Sequence, residues 1–213
     1  FLYIDADVRL APSAAAALVS HASAQAAGLV SAVPRQVMGS LGEAATVPMI
    51  NFLLLAYLPM AMMRAKLDPS LGAACGQLLL VEREAYFRSG GHQAIRAYLH
   101  DGIKLARLMR GHGIKTDLVR GADLATCRMY ATFAEAWGGF SKNAHEGMAT
   151  VRALPVWTLL LFGGHVLPAI LALLALAGLA PLGLSLAALA FSGGTRLAIT
   201  LHGREPLWTV PLH

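Results

Sequence analysis

Asp5 and Asp7 flank Ala6 directly after the apolar run Phe1-Leu2-Tyr3-Ile4. Carboxylates at i and i+2 just past a buried strand stand at the carboxyl edge where α/β sheets take their ligands, and both can face one ligand. Hard oxygen donors of this kind suit Mg²⁺ or Mn²⁺, which complete their shell with water and substrate phosphates when only one or two protein carboxylates are present. A departing diphosphate would be neutralised there. The same spacing also caps a helix or closes a turn, so the pair by itself admits both readings.

These carboxylates need a frame to hold them. Phe1 to Ile4 reads as a short strand, Pro12-Ser13 opens an Ala-rich helix that stops near Gly28, Leu29 to Val33 reads as a strand ended by Pro34, and Gln77 to Val81 as another. Asp101 to Met109 reads as a helix closed by Gly111 and Gly113, with Ile114 to Val119 following as a strand. The alternation predicts an α/β fold for residues 1–150. Gln77 is placed to hydrogen-bond in a ligand pocket, and Gly90 and Gly91 permit close backbone approach to a sugar or phosphate, a plain turn being the alternative.

From Leu154 the character changes. Val156 to Leu176 carries no charge and Leu182 to Leu201 only Arg196, each near the roughly 20 residues that cross a bilayer. Residues 154–202 are expected to form two transmembrane helices, with 203–213 a cytoplasmic or truncated tail; a buried soluble hairpin is the alternative. Arg152 before the first run and Arg204 after the second, with no charge between Gly178 and Gly183, put both outer ends in the cytoplasm. The stretch Val47 to Met63 is also apolar but holds Pro48, Asn51 and Pro59. A single crossing there would separate Asp5 and Asp7 from Asp101, so it reads as one or two helices lying in the interface.

Composition narrows the function classes. A hydrophobic share of 56% with 14% charged residues suits a membrane protein, and the net charge of +5 is spread from Arg64 to Arg152 without the basic run that nucleic acid requires. A lipid-facing cytoplasmic surface explains it better. Cys75 and Cys127 are too few for a disulfide framework and are expected to be free and buried. His145-Glu146 lacks a second His four residues on, and His21, His112 and His165 are isolated, so no zinc site is expected. Neither a Gly-x-Gly-x-x-Gly nor a Gly-Lys-Ser/Thr loop occurs, which argues against a dehydrogenase or an ATPase. The chain opens at Phe1 inside a strand-like run, so an upstream segment is expected.

Gly76-Gln77-Leu78-Leu79-Leu80-Val81-Glu82-Arg83-Glu84-Ala85-Tyr86, then Gly90-Gly91-His92, then His100-Asp101 opening Ile103-Lys104-Leu105-Ala106-Arg107, resembles the second half of membrane-bound family 2 glycosyltransferases with the GT-A (Rossmann-like) fold. Arg128-Met129-Tyr130 and Trp137-Gly138-Gly139-Phe140-Ser141-Lys142-Asn143 resemble the segment before the membrane helices of members that glycosylate lipids, including carotenoid glycosyltransferases. The resemblance implies transfer of a hexose from a nucleotide sugar to the hydroxyl of a lipid or other apolar acceptor at the cell membrane, with Asp5 and Asp7 at the metal and diphosphate and Asp101 as general base. A carboxylate at a helix start is well held, and partial burial would raise its affinity for the acceptor proton; an N-cap is the plain alternative.

The sequence departs from the family pattern in two places. His100 stands where a Glu is usual, and the Gln-x-x-Arg-Trp motif of processive polysaccharide synthases is missing, which disfavours a polymer product. His92 and His100 join the candidate substrate contacts. Trp137 would offer a stacking surface and Arg128 or Lys142 would offset phosphate charge, the alternative being an interfacial anchor with solvated cations. A polysaccharide synthase piece and a non-catalytic membrane subunit are the competing readings.

Overall fold

The computed structural model describes residues 1–144 and 150–212, so His145-Glu146 lies outside the described residues. Five strands form one mixed sheet: β1 Leu2–Ile4, β2 Val8–Leu10, β3 Leu29–Gln36, β4 Leu78–Val81 and β5 Thr116–Cys127, in the order β1-β4-β3-β5-β2. Helices α1 (Ala14–Gln25), α2 (Leu41–Ala44), α3 (Met49–Tyr57), α4 (Met60–Ala65), α5 (Arg83–Arg88), α6 (Gly91–Ala94), α7 (Asp101–Gly111) and α8 (Phe133–Ala144) surround it. The C-terminal part is a helical hairpin: α9 (Ala153–Leu161) continues through a π-helical turn, Phe162–Val166, into α10 (Leu167–Leu176), and α11 (Leu182–Gly203) returns.

Among the described residues only β3 and β5 pair in parallel; β1 with β4, β3 with β4 and β2 with β5 are antiparallel. Two successive antiparallel pairings make β1 run in the same sense as β3, and therefore as β5. The carboxyl ends of β1, β3 and β5 thus meet at one edge of the sheet. One core packs Leu29, Leu79, Val81, Leu105 and Met109 beneath α7, and another packs Leu18, Val30, Ala32 and Leu78 beneath α1. Leu29 of β3 feeds the first core, Val30 and Ala32 the second, and Val33 a third with Met63, Cys75 and Leu118, as a strand buried on both faces must.

Several boundaries differ from the sequence reading. Pro34 does not end β3, which runs to Gln36. The missing N–H is tolerated because β4 pairs only with Leu29 to Ser31, and the register with β5 shifts between Pro34 and Arg35. β5 reaches eight residues beyond Val119, to Cys127, and β2 is an additional short strand. Helix α1 stops at Gln25 with Ala26 in the left-handed region at φ 50°. Gly28 instead serves close packing, since a Cβ there would stand 3.1 Å from the Ala85 Cβ. The apolar stretch from Val47 to Met63 is two helices broken at Leu58-Pro59.

Ala153–Leu176 and Leu182–Gly203 are long and apolar enough to cross a membrane. Their large side chains are turned outward: Leu159 is 72% exposed, Leu173 68% and Phe191 80%, an apolar surface that water does not favour.

Candidate active site

The acidic pair sits where β1 ends. Asp5 N donates to Gln77 O at 3.2 Å and Val8 N donates to Asp5 O at 3.1 Å, so the three residues form a tight turn from β1 towards β2. Asp5, Asp7 and Asp101 are all solvent-exposed. Burial, then the charge of Asp7, then that of Asp101 hold the Asp5 carboxyl above its usual range. Carboxylates from β1 and α7, 96 positions apart in the chain, therefore share one electrostatic field. Neighbouring carboxylates of this kind suit a divalent cation. Among the described residues no three His, Cys, Asp or Glu side chains converge as a ready metal cage, so a cation here would draw its remaining ligands from substrate oxygens and water.

Asp101 opens α7. Its Oδ1 accepts from Gly102 N at 2.6 Å, and a Cβ on Gly76 would stand 2.7 Å from that same oxygen. Gly76 therefore makes the room in which the carboxylate lies, directly before β4. Beneath the turn are two buried thiols. Burial, together with the field of Asp5, Asp101 and Asp7, pushes Cys75 up to about 12 against a weaker lowering from Gln77. Burial, then the Asp7 carboxylate, raises Cys127 well above the ordinary thiol range. Tyr130 is raised as well, by burial first and then by Asp7 and Cys127.

The remaining candidates divide. Gln77 is buried, with both ends of its amide engaged inside the protein by Gln36 and Cys127. Gly90 and Gly91, at φ 84° and 54°, form a turn against Tyr86, whose ring would collide with any Cβ on Gly91. His92 Nδ1 lies 2.9 Å from Tyr86 Oη and its ring 4.9 Å from that of Tyr3, in an aromatic cluster. His100 precedes α7 and its carbonyl accepts from Lys104 N at 3.0 Å. Arg128 reaches Glu43 at 3.4 Å. Burial opposes ionisation of Glu43, yet Ser40, Gly39 and Arg128 outweigh it and hold the carboxyl below its usual range. Trp137 is 64% exposed and lies against Phe133, while Lys142 is on the exposed side of α8. Tyr130, which follows β5 closely, packs on Gly139 and Phe140 of α8.

The model of glycosyl transferase family 21 matches residues 1–206. The chain belongs to that family. Family 21 is a GT-A-like glycosyltransferase family, where the motifs alone resembled family 2, and membership makes the chain a glycosyltransferase that uses a nucleotide-sugar donor. It also favours a transferase over a non-catalytic membrane subunit. No curated protein matches the chain by sequence.

Sequence reasoning passed over Gln36, Cys127 and Tyr130 as neighbours of the acidic turn. Cys127 and Tyr130 arrive there because the end of β5 pairs with β2 and with Arg35-Gln36. Nothing in the local sequence announces that pairing; the one available signal was Tyr130 inside the Arg128-Met129-Tyr130 segment.

Proposed function

We propose that this family 21 chain transfers a hexose from a nucleotide sugar to the hydroxyl of a membrane lipid, using the GT-A fold. The observation that carries this reading is the turn of Asp5 and Asp7 at the carboxyl end of β1, tied by Asp5 N to Gln77 O, beside Asp101, whose carboxylate lies against Gly76. Asp5 and Asp7 would hold Mg²⁺ or Mn²⁺, which when bound offsets the charge of the departing diphosphate. Asp101 receives the acceptor proton: one oxygen is anchored by Gly102 N, leaving the other to face the hydroxyl. Gly76 keeps the space that this carboxylate occupies.

A cavity of about 280 Å³ supports a lipid acceptor. It is bounded by Val33, Leu55 and Leu118, with Asn51, Arg64, Arg120 and His202 also lining it, and among the described residues no carboxylate is in its wall. Val33 and Asp5 both lie past the start of β4, on strands two places apart, hence ~10 Å from one another. An apolar chain lodged there would present a hydroxyl towards Asp101, and the lining disfavours a cationic headgroup. In this reading residues 1–150 are the catalytic part on the cytoplasmic side, α3 and α4 lie in the interface, and residues 154–202 cross the cell membrane twice.

The test is transfer by the full-length protein in lipid nanodiscs, from labelled nucleotide sugars to a membrane lipid extract. Label should pass into the lipid phase and cease to do so in excess chelator. Label found only in a water-soluble polymer would replace the lipid acceptor with a polysaccharide.

A further inference from the structure

Arg128 stands one step beyond the end of β5, and Asp7 one step before β2. Those strands are antiparallel with Val8 opposite Cys127, so Asp7 and Arg128 hold the next positions outward on the same ladder. A cation beside an exposed carboxylate is expected to pair with it, yet the Arg128 guanidinium goes elsewhere. Its Nε lies 3.4 Å from Oε1 of Glu43 in α2, a side chain only 1% exposed, while that of Arg128 is 53% exposed. The second oxygen of Glu43 accepts from Gly39 N at 2.8 Å, and a Cβ on Gly39 would stand 2.6 Å from Arg128 Nη2. Among the described residues neither Nη of Arg128 has a hydrogen-bond partner.

We propose that Glu43 is a positioning residue for Arg128: it takes Nε, keeps the guanidinium off Asp7, and leaves the two Nη groups for the diphosphate of the nucleotide sugar. The inference rests on the diphosphate lying at Asp5 and Asp7, as read above. An arginine free to swing onto Asp7 would neutralise a carboxylate that the cation needs and would lose to it the donors that suit phosphate oxygens. A helix cap is the plain alternative, since Ser40-Leu41-Gly42-Glu43 has the spacing of a capping box and Glu43 N donates to Ser40 Oγ at 3.3 Å. A cap alone does not explain why Arg128 pairs with Glu43 and not with Asp7, and glutamine serves a cap as glutamate does. Arg128 was a candidate phosphate contact from the sequence; Glu43 is the residue that holds it ready.

Calorimetric binding of inorganic pyrophosphate with Mg²⁺ to the full-length protein in nanodiscs tests this without turnover. Glu43→Gln keeps an acceptor for Gly39 N but removes the charge that holds Arg128, and it should weaken pyrophosphate binding about tenfold. A plain charge effect has the opposite sign, because the substitution makes the site more positive and would tighten an anion. Arg128→Gln should lose a similar factor, and the double variant should bind no more weakly than Arg128→Gln alone, since Glu43 acts through Arg128. Unchanged or tighter binding in Glu43→Gln overturns the inference, as do losses that multiply in the double variant or that simply follow the melting temperatures. A parent protein that binds no pyrophosphate with Mg²⁺ removes the diphosphate reading and this inference together, whereas parental binding unchanged in Arg128→Gln removes the inference alone.

Discussion

Asp101 has two employments open to it, and they separate experimentally. With Oδ1 already accepting from Gly102 N, an Asp101→Asn side chain keeps that acceptor and its size but cannot take up a proton. Turnover should drop by about a hundredfold to ten-thousandfold while donor affinity and melting temperature hold. An unchanged single-turnover rate with roughly 1 kcal/mol less stability would leave it a helix cap. Asp7→Asn should lower turnover about a hundredfold or more through uncompensated diphosphate charge, without recovery at high Mn²⁺. Asp5 makes a prediction of opposite sign for stability. Its folded pKa is raised above the ordinary 3.8, so its favourable contribution is complete below that value and is lost as pH rises through the higher, folded value. At neutral pH without metal, Asp5→Asn should therefore raise the melting temperature, and the gain should vanish in acid below the ordinary range. A parent and variant that melt together at both pH values would show that the three carboxylates do not repel.

At the scale of the elements, glycines mark where backbones must touch. A Cβ on Gly121 would clash with the Val33 carbonyl oxygen and come within 2.7 Å of its carbon, both backbone atoms that have little freedom to yield. Gly121→Ala should cost about 1–3 kcal/mol, read as a lower denaturant midpoint at unchanged slope; a midpoint equal to the parent's would mean that β3 and β5 are not held at this register. This contact explains why the sequence showed the sheet only in part. Leu29 to Val33 and Leu78 to Val81 are continuous apolar runs, and Asp101 to Gly111 has helical spacing with a Gly stop, so their positions were legible. Val8-Arg9-Leu10 is too short for alternation to stand out, and Arg120-Gly121-Ala122-Asp123 breaks the apolar pattern of β5 while the chain stays extended. Pro34 reads as a stop only if a partner needs its N–H, and the shortness of β4 removes that partner. The acidic residues were visible because Asp5 directly follows β1, Asp7 stands two residues on, and Asp101 opens α7. Gln77 was visible as a polar residue at a strand start, but an amide can face either way, and only the pairing of β5 with β2 decides that it faces Cys127.

In the whole molecule, the hairpin is bound to α3 through buried and part-buried polar groups. Arg196, on α11, is 2% exposed and lies 3.5 Å from Glu205, whose other oxygen accepts from Asn51 of α3 at 2.9 Å. Arg196 Nε and Nη1 have no hydrogen-bond partner among the described residues, which leaves Glu205 as its only carboxylate. Higher in the hairpin, His165 joins Tyr57 of α3 at 3.1 Å and Ser192 of α11 at 3.2 Å. Arg204 also meets Asp123 of β5 at 2.6 Å, but both are exposed, and such pairs contribute roughly 0–1 kcal/mol. Removing one member of a buried pair strands the other charge and costs about 3–5 kcal/mol, so Glu205→Ala should far exceed Arg204→Ala in lowering the unfolding temperature of the full-length protein in detergent. Replacing both members with neutral groups of similar volume avoids the stranded charge. The double variant Arg196→Met, Glu205→Gln retains the acceptor for Asn51 and should recover most of the stability lost in Glu205→Ala. Should Glu205→Ala prove no worse than Arg204→Ala, the guanidinium is reached by water or lipid headgroups, and the hairpin would be joined to α3 by its apolar face and the His165–Tyr57 contact.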